Sequence, residues 1–358
     1  MLNYLLNKIF YAILTLVGVV TVIFLLFTVL PGDPAKMMLG QNQTAEQVEV
    51  VKKKYGFDKP IGTQYLYYLN DLSPLSFHST TTEDYTHFDD NKYSGSRLFT
   101  IGKTTTAIKL PYLRASFAKQ GKKVSQVIGE TLPNTFVLAV SAIVIAIILG
   151  LIFGVISALK KDTWIDRSIQ VFSTLGMSVP SFFSAILFAW LFGFVLHKYT
   201  NLEMTGSLYE LDDFGETVSI KWKNLILPAI VLGIRPLAVI IQLMRNSLLE
   251  VMNQDYIRTA RAKGLSEFQI IKNHAIKNAL NPVVTAISGW FASMLAGAVF
   301  VEYIFGWNGL GKEIVNALNT LDLPVIMGAV LVIATCFIII NILVDIIYAT
   351  LDPRVKLL

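Results

Sequence analysis

The sequence predicts an all-α integral membrane protein with about six transmembrane helices and an enlarged loop between the first two. Three observations lead there. Of 358 residues, 54% are hydrophobic and 15% charged, at a mean hydropathy of +0.56, an apolar excess too large for one soluble core. Six segments reach the length of about 20 apolar residues that a hydrocarbon layer about 30 Å thick demands of a helix. Lys and Arg concentrate in alternate connections between those segments. The net charge of +5 is small and makes no case for nucleic acid as a partner. The single cysteine, Cys336, lies in an apolar run, so neither an internal disulfide nor a cysteine-based zinc site is open to the chain.

In chain order, the first segment runs from Ile9 to Leu30, 22 residues. It is longer than the apolar core of a secretory signal and no small-x-small cleavage pattern follows, so it reads as a retained span, with residues 1–30 forming the N-terminus and first helix. Residues 31–133 form a polar loop region. Leu30-Pro31-Gly32-Asp33-Pro34 opens it, two prolines around Gly-Asp that end the helix in a tight turn. Thr44 and Gln47 make a capping box that starts a helix to Tyr55, and the aromatic-rich Gln64–Leu69 also reads as helix. From Ser73 to Lys123 the Ser, Thr, Tyr and Asp content predicts irregular or short β structure. Residues 134–350 then hold a bundle of five spans: Asn134–Leu159, Ser168–Leu196, Asn224–Met244, Val283–Val301 and Leu323–Tyr348, followed by a tail, 351–358.

One alternate set of short connections carries twelve basic residues: Lys8; Lys160, Lys161 and Arg167; Arg245, Arg258, Arg261, Lys263, Lys272 and Lys277; Arg354 and Lys356. The other carries four, Lys198, Lys221, Lys223 and Lys312. The excess puts both termini and the 245–281 connection in the cytoplasm and residues 31–133 outside, since long translocated segments escape the positive-inside rule.

Enzyme signatures fail on inspection. Gly306-Trp307-Asn308-Gly309-Leu310-Gly311-Lys312-Glu313 has phosphate-loop spacing up to the lysine, but Glu313 stands where a magnesium-binding Ser or Thr is needed, and an apolar helix rather than a strand precedes it. It reads as a turn. His78 and His87 with Glu83, Asp84, Asp89 and Asp90 fit no metal-ligand spacing and read as a solvated acidic loop. No His-Glu-x-x-His or Gly-x-Ser-x-Gly is present, and no pair of intramembrane acids suggests a hydrolase.

Within the fourth span, Arg235 precedes Pro236. A mid-bilayer arginine costs at least about 2.5 to 3.5 kcal/mol unless it faces water, an anion or a partner. Two readings stand side by side: a cavity or subunit interface, or a shifted span with Arg235 snorkelling to the surface. Pro180, after Ser178 in the third span, makes a similar break, while Gly150 and Gly154 form a Gly-x-x-x-Gly face for close helix packing.

The connection from Arg245 to Asn281 carries the strongest signal. It reads as helix, stop, helix, with Gly264 as a left-handed C-cap and Ser266 with Gln269 as a capping box that restarts the chain. A DNA-reading helix-turn-helix is discounted because membrane spans tether both ends. A helix pair on anionic lipid and a docking surface for a cytoplasmic protein both remain open.

The run Tyr256-Ile257-Arg258-Thr259-Ala260-Arg261-Ala262-Lys263-Gly264-Leu265-Ser266, with His274-Ala275 and Asn278-Ala279-Leu280-Asn281-Pro282, closely resembles the EAA loop of permeases in peptide-type ABC importers. Leu30–Pro34, Tyr55-Gly56-Phe57-Asp58-Lys59-Pro60-Ile61, Glu130-Thr131-Leu132-Pro133-Asn134-Thr135, Gly306–Gly311 and Leu343 through Arg354 look like the B-type dipeptide and oligopeptide permease. The resemblance covers most of the chain and implies the type I ABC permease architecture. It departs at Arg258, which stands where the general EAA pattern has glutamate, so no glutamate contact is assigned. Residues 73–123 are longer than the usual external loop, and residues 198–223 are poorly matched.

The resemblance implies a multi-pass subunit of the bacterial inner membrane that pairs with a second homologous permease, binds two ATP-binding subunits and receives solute from an external binding protein. ATP and magnesium would sit on the partner subunits, with no cofactor and no catalytic residue in this chain. It assigns coupling to Tyr256, Arg258, Ala260, Arg261, Lys263, Gly264, Leu265, Ser266, Phe268 and His274. The residue chemistry adds Ser178, Pro180, Arg235 and Pro236 as candidates for a cavity or subunit interface. The same resemblance extends to permeases for nickel and other small solutes. Of the rivals, a secondary transporter lacks a mid-bilayer acid, and an intramembrane enzyme lacks a paired nucleophile and base.

Overall fold

A computed structural model describes residues 2–29, 33–39, 44–119, 121–211 and 217–351. The Leu30-Pro31-Gly32 part of the expected turn, and residues 352–358 of the expected tail, lie outside the described residues.

Helix α1 (Leu2–Val29) is apolar around its circumference, and side chains such as Phe10, Tyr11 and Leu14 stand exposed along it. A bilayer solvates such a surface; water does not. After α2 (Pro34–Leu39), α3 (Ala45–Tyr55) starts at the expected capping box: Gln47 N donates to Thr44 Oγ1 at 3.3 Å, and Thr44 N donates to Gln47 Oε1 at 3.0 Å. It stops at Gly56, whose φ of +72° is the left-handed cap that glycine supplies without strain. Helix α4 (Ile61–Leu72) follows Pro60. Strands β1 (Leu75–Ser79), β2 (Gly95–Ile101) and β3 (Thr104–Lys109) form an antiparallel sheet ordered β1-β3-β2.

Helix α5 (Val124–Leu159) begins ten residues before the span expected from Asn134 and runs through Pro133. Then come α6 (Trp164–Ser178) and α7 (Ser181–Phe188), the latter continuing as a π-helical stretch, Ala189–Val195. The expected single span Ser168–Leu196 is therefore two helices bent by 109°. Pro180 has no N–H to continue α6, and it forces Val179 into an extended conformation at ψ 129°. After the short α8 (His197–Thr200), β4 (Tyr209–Leu211) and β5 (Val218–Ile220) pair antiparallel.

Helix α9 (Lys223–Met252) absorbs Pro228 and Pro236 without breaking. The connection after it contains α10 (Asp255–Ala262), α11 (Glu267–Ile270), a π-helical stretch (Ile271–Ala275) and α12 (Ile276–Ala279). The expected span Val283–Val301 appears as α13 (Asn281–Gly297), bent by 50° from the helix before it, and the separate α14 (Val299–Phe305). Helices α15 (Leu310–Asn319) and α16 (Leu323–Leu351) are the last described elements. Among the described residues four helices are long and apolar enough to cross a membrane, and six spans result if each bent pair is one.

The chain divides into two compact units. One comprises Ile9–Glu130 and Ile314–Ala334. Its apolar centre joins Val20, Ile23 and Phe24 of α1 to Tyr68 of α4 and Met327 of α16, positions spaced so that each helix offers one face. Beside the sheet, Phe88, Tyr93 and Ala107 form a smaller aromatic centre, and His78 is buried against Phe88 and Tyr93 at ring distances of 4.9 and 4.8 Å. His78 Nε2 bonds Ser76 Oγ and its Nδ1 bonds Thr86 O, both at 2.8 Å. The solvated-loop reading therefore fails for His78, which is a satisfied core histidine, while Glu83, Asp84, Asp89 and Asp90 are exposed. Among the described residues no group of three His, Cys, Asp or Glu is placed to hold a metal ion.

The other unit comprises Met1–Lys8, Thr131–Glu313 and Thr335–Leu358. Here α5 lies directly on α9. A Cβ on Gly150 would fall 2.6 Å from Ile240 Cγ2, and one on Gly154 would fall 2.7 Å from Met244 Cβ, so the Gly-x-x-x-Gly face is a close helix contact.

Candidate functional site

The connection between α9 and α13 is anchored before it is exposed. Ile257 and Ala260 of α10, Ile270 of α11, Ala275 and Ala279 are buried together with Ala146 and Ala158 of α5 and Ile240, Met244 and Leu248 of α9. Leu265, half-buried, packs on the same cluster. The apolar residues recur at helical spacing because one face of each short helix must cover the ends of the spans.

Between the anchors the chain turns sharply. Gly264 has φ +76°, its N–H donates to Arg261 O at 2.9 Å, and Lys263 N donates to Thr259 O at 3.1 Å. Gln269 N then donates to Ser266 Oγ at 3.4 Å while Ser266 N donates to Gln269 Oε1 at 3.0 Å, closing the box that begins α11. Arg261 Nε donates to Glu267 Oε1 at 2.9 Å across the corner. Tyr256 accepts a bond from Asn278 Nδ2 at 2.8 Å, and the same amide donates to His274 O at 3.3 Å. Arg258 pairs with Asp255 at 3.3 Å, both exposed.

The outward surface combines exposed aromatic and basic groups. Phe268 is 72% exposed and Tyr256 is 41% exposed, beside Arg258, Lys263, Lys272 and His274. Lys272 Nζ stands 6.0 Å from the centre of the Phe268 ring. An exposed aromatic on a tightly specified corner, among basic groups, is chemistry suited to a partner protein's pocket or to an anionic lipid surface.

Of the second group, Arg235 is exposed and, among the described residues, forms no ion pair. Pro236 beside it is buried. A small cavity of about 80 Å³ brings both together with Val179 and Ser181, on either side of Pro180, and with Trp290 and Ser293 of α13. Ser178 is exposed and its hydroxyl donates back to Thr174 O at 2.8 Å. The break at Pro180 and the arginine of α9 thus meet, although more than 50 residues separate them.

At the other end of α5 two segments quoted for the resemblance are joined. Trp307, fully buried, donates from Nε1 to Asn134 O at 3.0 Å, and Asn134 Nδ2 donates to Asn308 O at 2.7 Å. Leu310 N donates to Thr135 Oγ1 at 2.8 Å. The phosphate-loop spacing receives a physical explanation here. Gly311 N and Lys312 N donate to Glu302 Oε2 at 2.7 and 3.2 Å, so the N–H groups that would cradle a phosphate hold the chain's own buried carboxylate. The residues present do not fit a nucleotide.

Sequence reasoning missed Glu302, and it missed Asp166. The Asp166 carboxylate accepts two bonds from Arg245, at 2.8 and 2.7 Å, with further bonds from Ser157 Oγ at 2.5 Å and Asp162 N at 3.0 Å. This cluster joins the ends of α5, α6 and α9. The sequence counts Arg245 only among the basic residues of its connection; the available signal is an acid, Asp166, at the start of an apolar segment that follows a basic turn.

Residues 150–357 match the family of binding-protein-dependent transport system inner membrane components, and residues 1–76 match the N-terminal family of such membrane components. A Brucella suis protein named as a peptide permease is 34% identical over 99% of both chains. The dipeptide transport system permease protein DppB of Alkalihalophilus pseudofirmus is 32% identical over 99% of this chain and 100% of its own. Among solved structures, the methionine ABC transporter MetNI in an inward-facing conformation contains a chain that superposes with a TM-score of 0.51 at 16% identity, covering 63% of this chain and 97% of its own, a likeness of fold.

Proposed function

The chain belongs to the family of inner membrane components of binding-protein-dependent transport systems, and on that premise we propose that it forms the path for short peptides in an ATP-driven importer. It is a multi-pass, non-catalytic permease subunit of the inner membrane. Relatives named for peptides and dipeptides, matched over nearly the whole length, favour a peptide over nickel or another small solute. Its partners are a second homologous permease, two ATP-binding subunits that carry ATP and magnesium, and an external binding protein.

The observation that carries the coupling role is the braced corner at Gly264 with Phe268 exposed beside it. Closure of the ATP-binding subunits on ATP moves this corner, and a bundle with two packed arrangements switches access from one side of the membrane to the other. In this reading both termini and the 245–281 connection are cytoplasmic, and residues 31–133 are external. The ion pair between Lys8 and Asp345, which brings the start of α1 to the last turns of α16, supports placing both termini on one side. The Arg235 cavity borders the path or the second permease.

The test is purification of the chain from its native membrane with uptake of labelled dipeptides in a deletion strain. Recovery of an ATPase and loss of dipeptide uptake in the deletion support the reading. A deletion that abolishes only nickel uptake replaces the substrate, and ion-driven flux by the chain alone overturns the ATP-driven mechanism.

A further inference from the structure

The unit built from residues 9–130 and 314–334 contains a cavity of about 520 Å³ whose chemistry the coupling role does not use. Its depth is cationic. Lys92 Nζ donates to Tyr85 O at 2.8 Å and stands 3.7 Å and 4.7 Å from the ring centres of Tyr85 and Tyr93. Among the described residues no carboxylate lies within ion-pair distance of it. Arg114 lies beside it and donates from Nε to Asp71 Oδ2 at 3.1 Å.

Asp71, 1% exposed, is already occupied: it also accepts from Tyr85 Oη at 2.7 Å and Tyr93 Oη at 3.0 Å. Lys109, 4% exposed, turns its ammonium to the Asp71 and Ser73 carbonyls. Of these three cations only Arg114 is paired with the buried Asp71 carboxylate; Lys92 and Lys109 are held by backbone carbonyls. Burying charge without a counter-charge is costly, and an anion entering the cavity would relieve it.

The exposed lining is net acidic: Glu83, Asp84 and Asp89 stand there against one lysine, Lys54, and rings of Tyr55, Phe57, Tyr112 and Phe117 lie on the walls. A cavity within the usual size of small-molecule sites, with a cationic floor, aromatic sides and a net acidic exposed lining, matches a molecule bearing a carboxylate at one end and an ammonium at the other. We propose that this cavity binds a short peptide, its terminal carboxylate toward Lys92 and Arg114 and its amino group toward Glu83 and Asp84. The proposal rests on the peptide-import reading and adds a binding site in the segment that departs most from the family pattern.

The experiment measures binding of labelled dialanine to the full-length chain in lipid nanodiscs without its partners, with uptake by the complete transporter in cells followed in parallel. Saturable binding is expected, weakened at least tenfold by amidating the carboxylate, by acetylating the amine, and by Lys92→Met, with Lys92→Arg retaining most of it. The ligand-side changes leave the protein untouched, so misfolding of a variant does not decide the outcome. Absence of saturable binding, or affinity indifferent to amidation, overturns the site even when the transporter imports dialanine normally. Absence of peptide import by the complete wild-type transporter overturns the functional reading instead.

Discussion

Arg261 and Glu267 face each other across Gly264, and their 2.9 Å contact links the end of α10 to the beginning of α11. The pair is 44% and 62% exposed, so the contact is a brace around a backbone turn that is specified independently by Gly264 and by the Ser266–Gln269 box.

The turn and the brace separate by mutation. A Cβ at Gly264 meets nothing within 4 Å, so the whole cost of Gly264→Val is the positive φ, about 1 kcal/mol or more for a β-branched residue. The expected product is inserted in the membrane but either loses the ATP-binding subunits or keeps them without substrate-stimulated hydrolysis. Arg261→Glu should cost less than about 1 kcal/mol, because exposed ion pairs are screened. Pull-down and ATPase assays on both variants check this order; normal import by Gly264→Val would reduce the corner to a lipid-surface turn.

Cysteines introduced at Thr81 and at Lys263 are expected to react with a membrane-impermeant thiol reagent from opposite faces of the membrane. Labelling of both in intact cells would place them on the same side and overturn the proposed sidedness.

Arg235→Leu should insert normally, since it makes α9 more apolar, yet impair transport or pairing with the second permease. Wild-type uptake and a normal yield of complex would instead identify Arg235 as a residue that merely reaches the membrane surface.

Asp166→Asn removes the counter-charge of Arg245 and leaves a partly buried guanidinium. Breaking such a pair typically costs about 3–5 kcal/mol. A clear fall in the thermal denaturation midpoint of the purified chain is expected, with partial recovery when Arg245 is also replaced by Met; an unchanged midpoint in the single variant would show that the cluster contributes little.

Burial lowers the Lys92 ammonium to about 8; Arg114 and Lys109 push the same way, and Asp71 and Asp89 oppose them. Since the folded value lies below the unfolded one, folding is penalised while both forms are charged, and the penalty lifts as pH rises through 8 toward the ordinary lysine value. Lys92→Met should therefore raise the denaturation midpoint of the full-length chain at pH 7 and raise it less at pH 10. An equal gain at both values would place the effect in packing rather than charge.

Local signals in the sequence identified local structure. Thr44 with Gln47, Ser266 with Gln269 and the positive φ at Gly264 are each decided within a few residues, and all three stand in the structure as read. Span positions followed from apolar length, but Pro180 turned one expected helix into two because length says nothing of direction. The sheet β1-β3-β2 was legible only as possible short strands, since every residue of β2 is exposed and no alternation marks it. Contacts such as Arg245–Asp166 and Trp307–Asn134 join residues far apart in sequence, and no periodicity announces them.

The glycines of α5 set a limit on how this protein can move. Ile240 and Met244 sit where any Cβ on Gly150 or Gly154 would collide, so α5 and α9 mesh like a rack and its pinion. Sliding one along the other by a single residue, about 1.5 Å, would drive those side chains into backbone. The two helices travel as one plank, with α6 fastened to it through Asp166 and Arg245, and the bend at Pro180 marks where the chain leaves that plank for α7.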